Sequence, residues 1–140
     1  MDEYNTALFH MKEGVELHEY KMHKYVSNLG IVNVPRVYKY DKKTKIMTMQ
    51  KIIGSNLSDF YGEDACNIST ELFQRVRDTI TTLRGNNIMY IDITGYNFML
   101  DNQDKLWIID FEHATYDTKN TSSFLHSFCN GANEWNADFK

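Results

Sequence analysis

The sequence predicts an α+β fold, on three observations: an early amphipathic stretch closed by glycine, a pair of β-rich segments joined by five polar residues, and a second polar turn between two later apolar runs. Its 140 residues amount to one domain. Met11, Val15, Met22, Val26 and Leu29 recur at spacings of three, four or seven, which predicts a helix over 11–29 ended by Gly30. Glu19 falls on that apolar stripe. A carboxylate there either meets a cation or sits at the stripe's edge in water, and periodicity alone leaves both open.

Residues 35–40 and 46–52 are β-rich, and Asp41-Lys42-Lys43-Thr44-Lys45 between them has hairpin length. Gly54-Ser55-Asn56 breaks the second strand, and a short helix is expected over 57–61. A longer helix starts near Ser69 with Leu72, Val76, Ile80 and Leu83 on one face, and Gly85-Asn86-Asn87 ends it. Strands are then expected at 88–91, 97–100 and 105–111, and a last short helix around Phe124, Leu125 and Phe128.

Fifteen Lys and Arg against nineteen Asp and Glu give a net charge of −4, which disfavours a charge-driven nucleic-acid partner or an anionic membrane surface. Apolar runs such as Leu106-Trp107-Ile108-Ile109 are far too short to span a bilayer, and Met1-Asp2-Glu3 does not resemble a signal peptide, so a soluble cytoplasmic protein is expected. Cys66 and Cys129 lack partners at zinc-like spacing and read as reduced thiols.

The informative stretch is the last hairpin. With Asn102-Gln103 at the centre of a tight turn, Asn97 faces Ile108, and Asp110 projects from the same face as Ile108. Diagonal neighbours lie about 7 to 8 Å apart, close enough for an amide and a carboxylate to share a hard cation at about 2.1 Å. Asp92, five residues before Asn97, can face the same opening from the preceding turn. Two oxygen ligands for Mg²⁺ and a third group to take or orient a hydroxyl proton is the division of labour that phosphoryl transfer requires.

The stretches Tyr90-Ile91-Asp92-Ile93-Thr94-Gly95-Tyr96-Asn97 and Ile109-Asp110-Phe111-Glu112 resemble the catalytic loop and metal-binding Asp of the protein-kinase-like superfamily. Thr94, where Ser/Thr protein kinases keep Lys, is similar to the small kinase of the tRNA-threonylcarbamoyl (KEOPS) complex, and Asp110-Phe111-Glu112-His113-Ala114 resembles choline kinases and aminoglycoside phosphotransferases. The resemblance implies a truncated kinase-like fold: helix C and a β-hairpin from the N lobe over about 10–53, a reduced, mostly helical C lobe with the catalytic-loop hairpin over 54–116, and an unassigned tail over 117–140. It further implies ATP and Mg as cofactors, Glu19 as the helix-C glutamate, and Met49, Gln50, Lys51 and Ile52 as the hinge bordering the adenine. Asp92 and Asn97 would be the catalytic pair, and Asn97 and Asp110 the metal ligands.

The sequence departs from that pattern in three ways. No G-x-G-x-x-G loop lies among the eighteen residues before Glu19. The nearest upstream cation, Lys12, is only seven residues away; inside a helix beginning at 11 it is a surface charge, the preferred reading, and its alternative is a substitute for the strand-3 lysine. Tyr90 stands where the family keeps His. Two functions therefore compete. One is a kinase-like, Ser/Thr-type phosphotransferase using Mg-ATP. The other is a pseudokinase or kinase-mimic module acting through a partner. A protein partner or second copy is expected to cover the shortened lobe.

Overall fold

The computed structural model describes residues 8–116 and 122–139, so the tail expected over 117–140 is seen from Ser122 on. The first sheet has the order β1-β3-β2, all antiparallel, from β1 (Phe9–Lys12), β2 (Val37–Asp41) and β3 (Ile46–Gln50). Asp41 closes the expected polar turn: its Oδ1 accepts from the Lys43 amide at 2.9 Å, and Lys45 takes a left-handed φ of 58°. Helix α1 (Leu17–Leu29) lies between β1 and β2 in sequence and ends at Gly30, whose φ of 66° is the left-handed cap that glycine supplies at least cost.

The helix expected from residue 11 begins six residues later. Residues 9–12 form a strand whose Lys12 pairs with Met47, Met11 points to solvent, and Gly14 at φ 69° turns the chain into α1. The four-residue spacing of Met11 and Val15 matched a helix by chance, because Val15 belongs to a small cluster with Met47 and Met49 under the sheet. Strand pairing to β3 outweighs helix propensity in this segment.

The second half contains β4 (Gly54–Asn56), α2 (Leu57–Tyr61), α3 (Thr70–Gly85), β5 (Ile88–Met89), β6 (Phe98–Asp101), β7 (Leu106–Ile108), β8 (Thr115–Tyr116) and α4 (Ser123–Cys129). Both α2 and α3 carry side-chain N-caps, Asn56 accepting from Asp59 at 2.8 Å and Ser69 from Leu72 at 3.1 Å. Helix α3 buries Leu72, Phe73, Val76, Ile80 and Leu83 in the main core, to which α1 contributes Met22 and Val26. The sheets here are β4-β6-β7 and the two-stranded β5-β8. The expected strands at 88–91 and 105–111 are shorter than their apolar runs, closing at Met89 and Ile108.

The β6–β7 hairpin is one residue out of the expected register. Phe98 pairs with Ile108 and Leu100 with Leu106, so Asn97 lies opposite Ile109. The turn has three residues, Asn102 to Asp104, because Asp101 Oδ1 accepts from the amides of Gln103 and Lys105, each at 2.8 Å, and Asp104 adopts a left-handed φ of 61°. A type I turn followed by one left-handed residue is a standard three-residue hairpin closure. Asp110 reaches the site by its own left-handed backbone, φ 64°, and not by strand alternation.

Candidate active site

A cleft of about 480 Å³ lies between the first sheet and the β4–β6 strands, within the size range of small-molecule sites. Its walls are largely thioether and aliphatic, with Met47, Met49, Met99 and Ile109 facing in. The expected hinge residues Met49, Gln50, Lys51 and Ile52 border it, as do Glu19, Asn97 and Asp110. The Gln50 amide donates to Arg36 O and the Lys51 amide to Leu8 O, both at 2.8 Å, so neither of these two amides is available to a base.

Lys12 is where the expectation changes most. Its Nζ lies 2.5 Å from Glu19 Oε2 and 3.7 Å from Asp110 Oδ1, and it lines the cleft. The surface reading assumed a helix through residue 12; with a strand there, the side chain on the sheet's inner side crosses to α1. Burial pulls the Lys12 ammonium down, but the hydrogen bond to Glu19 and the charge of Asp110 more than offset it, holding the lysine above its ordinary value. Burial lifts the Glu19 carboxyl, with Lys12 acting the other way. The lysine is the more open partner, so we take it as charged across the physiological range. Glu19, on the apolar stripe of α1, thus has the cation that its burial demands.

On the opposite wall, the Asn97 side-chain Nδ2 donates to the Asp92 carbonyl at 2.8 Å. That bond fixes the amide, leaving Oδ1 as the group not spent on the loop. Asp92 is 7% exposed. Burial and then the Asp110 carboxylate push it up to about 6, with His113 and Asn97 opposing. Tyr90 is fully buried, edge-on to Phe111 at 5.4 Å, and donates its hydroxyl to Ile109 O at 2.6 Å. It therefore ties the strand before Asp92 to the residue before Asp110 with one hydrogen bond.

Asn97 and Asp110 present only oxygen to a cation, the donor set that suits Mg²⁺. Glu112, which the sequence marks only as part of the Asp110–Ala114 motif and not as a site residue, brings a carboxylate oxygen within 4.8 Å of those of Glu19 and Asp110. The described residues thus bring Lys12, Glu19, Asn97 and Asp110 to one cleft, while Asp92 lies on the loop behind Asn97 and does not line it.

A β-sheet lid whose strand lysine pairs with a helix glutamate, above a hairpin with Asn and Asp, defines a protein-kinase-like domain. The RIO domain family model matches residues 3–132, and the chain belongs to that family. It is 29% identical over 63 residues to a 3-deoxy-D-manno-octulosonic acid kinase from Vibrio parahaemolyticus, covering 41% of this chain and 26% of that protein. Among solved structures it is similar to the kinase PK-1 of Cydia pomonella granulovirus, with a TM-score of 0.59 and 17% identity over 77% of this chain and 43% of that one. WbdD bound to a kinase inhibitor follows, with a TM-score of 0.57 and 19% identity over 78% of this chain and 26% of that one. The chain spans less than half the length of each of these relatives. The structural likenesses carry the fold, and the family match carries membership of the protein-kinase-like superfamily. No helix among the described residues is long and apolar enough to cross a membrane.

Proposed function

We propose that the chain is a Mg-ATP-dependent phosphotransferase of protein-kinase type. The observation that carries this reading is Lys12, paired to Glu19 and sharing one cleft with Asn97 and Asp110. The adenine takes the thioether-lined end beside residues 49–52, and Lys12 meets the α and β phosphates. Asn97 and Asp110 hold the metal, which when bound neutralises charge on the transferring group. Asp92 orients the acceptor hydroxyl and takes its proton, a role suited to a carboxyl titrating near 6. The acceptor is a hydroxyl of Ser/Thr type on this reading.

The non-catalytic alternative draws on the missing Gly-rich loop and the missing lysine; the Lys12–Glu19 pair supports the catalytic reading on the second count, while the absence of a G-x-G-x-x-G stretch before Glu19 still favours the alternative. Residues 10–53 and 54–116 act as the two reduced lobes of one site. Phe60, Tyr61 and Tyr96 are exposed beside the catalytic loop, which supports a protein partner or second copy covering this side. A site facing the cytoplasm, where Mg-ATP is abundant, fits this chemistry.

A titration of Mg-ATP followed by thermal unfolding tests the reading. Stabilisation that needs both Mg²⁺ and ATP and is lost in Asp110→Asn is expected, together with phosphate transfer lost in Asp92→Asn at unchanged nucleotide affinity. Stabilisation indifferent to Asp110→Asn would remove the metal site from the proposal.

A further inference from the structure

Asp92 sits at the apex of a three-residue turn in which the Ile93 amide donates to Ile91 O at 2.8 Å. Such a turn carries one internal hydrogen bond, and by itself it holds its central side chain weakly. The two carbonyls flanking Asp92 receive further donors from the far end of the chain. Asn136 Nδ2 donates to Ile91 O at 2.8 Å, and the Asn136 amide to Ile93 O at 2.8 Å. Its Oδ1 accepts from the Asp138 amide at 3.2 Å, so the side chain has one orientation and is nearly buried.

The segment that delivers Asn136 is itself anchored. Arg77, buried on α3, donates from Nε to Phe128 O at 2.7 Å and from Nη2 to Asn133 Oδ1 at 2.5 Å. Trp135 packs against Phe73 at 4.6 Å and stacks on Phe98, the first residue of β6, at 6.4 Å. The chain after α4 is thus clamped by α3 on one side and clamps the loop 91–93 on the other. Asn136 is not among the residues that line the cleft.

We propose that Asn136 is a positioning residue for Asp92, holding the catalytic turn through the carbonyls on either side of it. The proposal rests on the phosphotransferase reading for its consequence in turnover, and on hydrogen bonding alone for its consequence in the loop. Removing the Asn136 side chain leaves Ile91 O with the turn's own bond only, freeing the apex to rotate. A displacement of about 1 Å at a reacting group costs on the order of 100-fold in rate.

The test uses the full chain and two variants, Asn136→Ala and the isosteric Asn136→Asp, which keeps the backbone donor and loses the side-chain donor. Three quantities are read: calorimetric affinity for Mg-ATP, kcat and KM for Mg-ATP with water as phosphate acceptor, and amide hydrogen exchange at Ile93. Expected in both variants are affinity and KM within twofold of the parent, kcat at least tenfold lower, and Ile93 exchange at least tenfold faster while the α1 and β3 amides are unchanged. Unchanged Ile93 exchange in a folded variant overturns the proposal, and so does unchanged kcat or a fall in nucleotide affinity matching the fall in kcat. Should the parent neither bind nor turn over ATP, the phosphotransferase reading fails while the exchange comparison still decides whether Asn136 holds the turn. If neither variant folds, the parent decides: Ile93 protected at the level of global unfolding is expected, and exchange at the rate of an unstructured peptide overturns the clamp.

Discussion

Two buried groups give the chain opposed responses to pH. His23 is 1% exposed, and its Nε2 lies 2.7 Å from Pro35 O; a carbonyl only accepts, so that nitrogen carries the proton. Burial lowers its pKa to about 4 from an ordinary 6.5. The unfolded chain then binds the extra proton first, so the stability His23 contributes is present above 6.5 and is lost as pH falls toward 4, by about 3 kcal/mol in all. Asp92 works the other way: raised from 3.8 to about 6, it costs nothing below 3.8 and penalises the folded state as pH rises through 6. Urea unfolding in EDTA, which removes metal from the comparison, should show a flatter acid limb in His23→Gln and higher stability than the parent at pH 7.5 in Asp92→Asn. A parent-like slope in His23→Gln would mean that the histidine is not held neutral.

Lys12 argues at the same scale. Truncating it leaves Glu19 buried without its cation, so Lys12→Met should lose the nucleotide-phosphate contact and also raise the Glu19 carboxyl further. The expected cost to the fold is about 1–3 kcal/mol, less than for a fully enclosed pair because the lysine is 31% exposed. The double variant Lys12→Met with Glu19→Gln should recover most of that stability without recovering ATP affinity. Chemical denaturation and calorimetry on the four proteins separate the two effects, and a double variant as unstable as Lys12→Met would show that the penalty is packing and not unpaired charge.

Among the elements, those whose signals are local were legible in the sequence, and those set by pairing were not. Helices α2 and α3 begin after Asn56 and Ser69, residues whose side chains satisfy the first free amides, and the apolar spacing of Leu72, Val76, Ile80 and Leu83 marks the buried face directly. The start of α1 was not legible, because whether residues 9–12 are strand or helix depends on β3, some thirty-five residues later. That helix reading, together with the short interval to Glu19, ranks Lys12 as a surface charge ahead of a strand-3 lysine. The register of the last hairpin was also hidden: Asp101 can serve as strand or as turn, and only its bonds to Gln103, Lys105 and Trp107 choose. Asn97 and Asp110 nevertheless reach one cleft, since a left-handed Asp110 compensates for the slipped face. Asp101→Ala removes three hydrogen bonds from the turn and should cost about 1–3 kcal/mol while loosening the Asn97–Asp110 relation. Thermal unfolding and Mg-ATP affinity should fall together; a stability loss with affinity untouched would show that the turn does not set the site.

At the scale of the whole molecule, the segment after α4 packs back against the loop 91–93. Trp135 fills the gap between Phe73 of α3 and Phe98 of β6, and it is 5% exposed. Its indole nitrogen has no hydrogen-bond partner among the described residues, so its contribution is area and shape rather than polarity. Trp135→Phe should therefore be mild, since it removes an unpaired buried donor along with one ring. Trp135→Ala opens a cavity between the main helix and the catalytic hairpin and should cost about 3–5 kcal/mol, a large share of the stability of a domain this size. The loss should also reach the loop: with the tail undocked, hydrogen exchange in residues 91–97 should speed up in Trp135→Ala before α3 is affected. If the alanine variant instead unfolds in one transition that takes α3 and the loop together at every denaturant concentration, the tail is an ordinary part of a single cooperative core rather than a brace on the site.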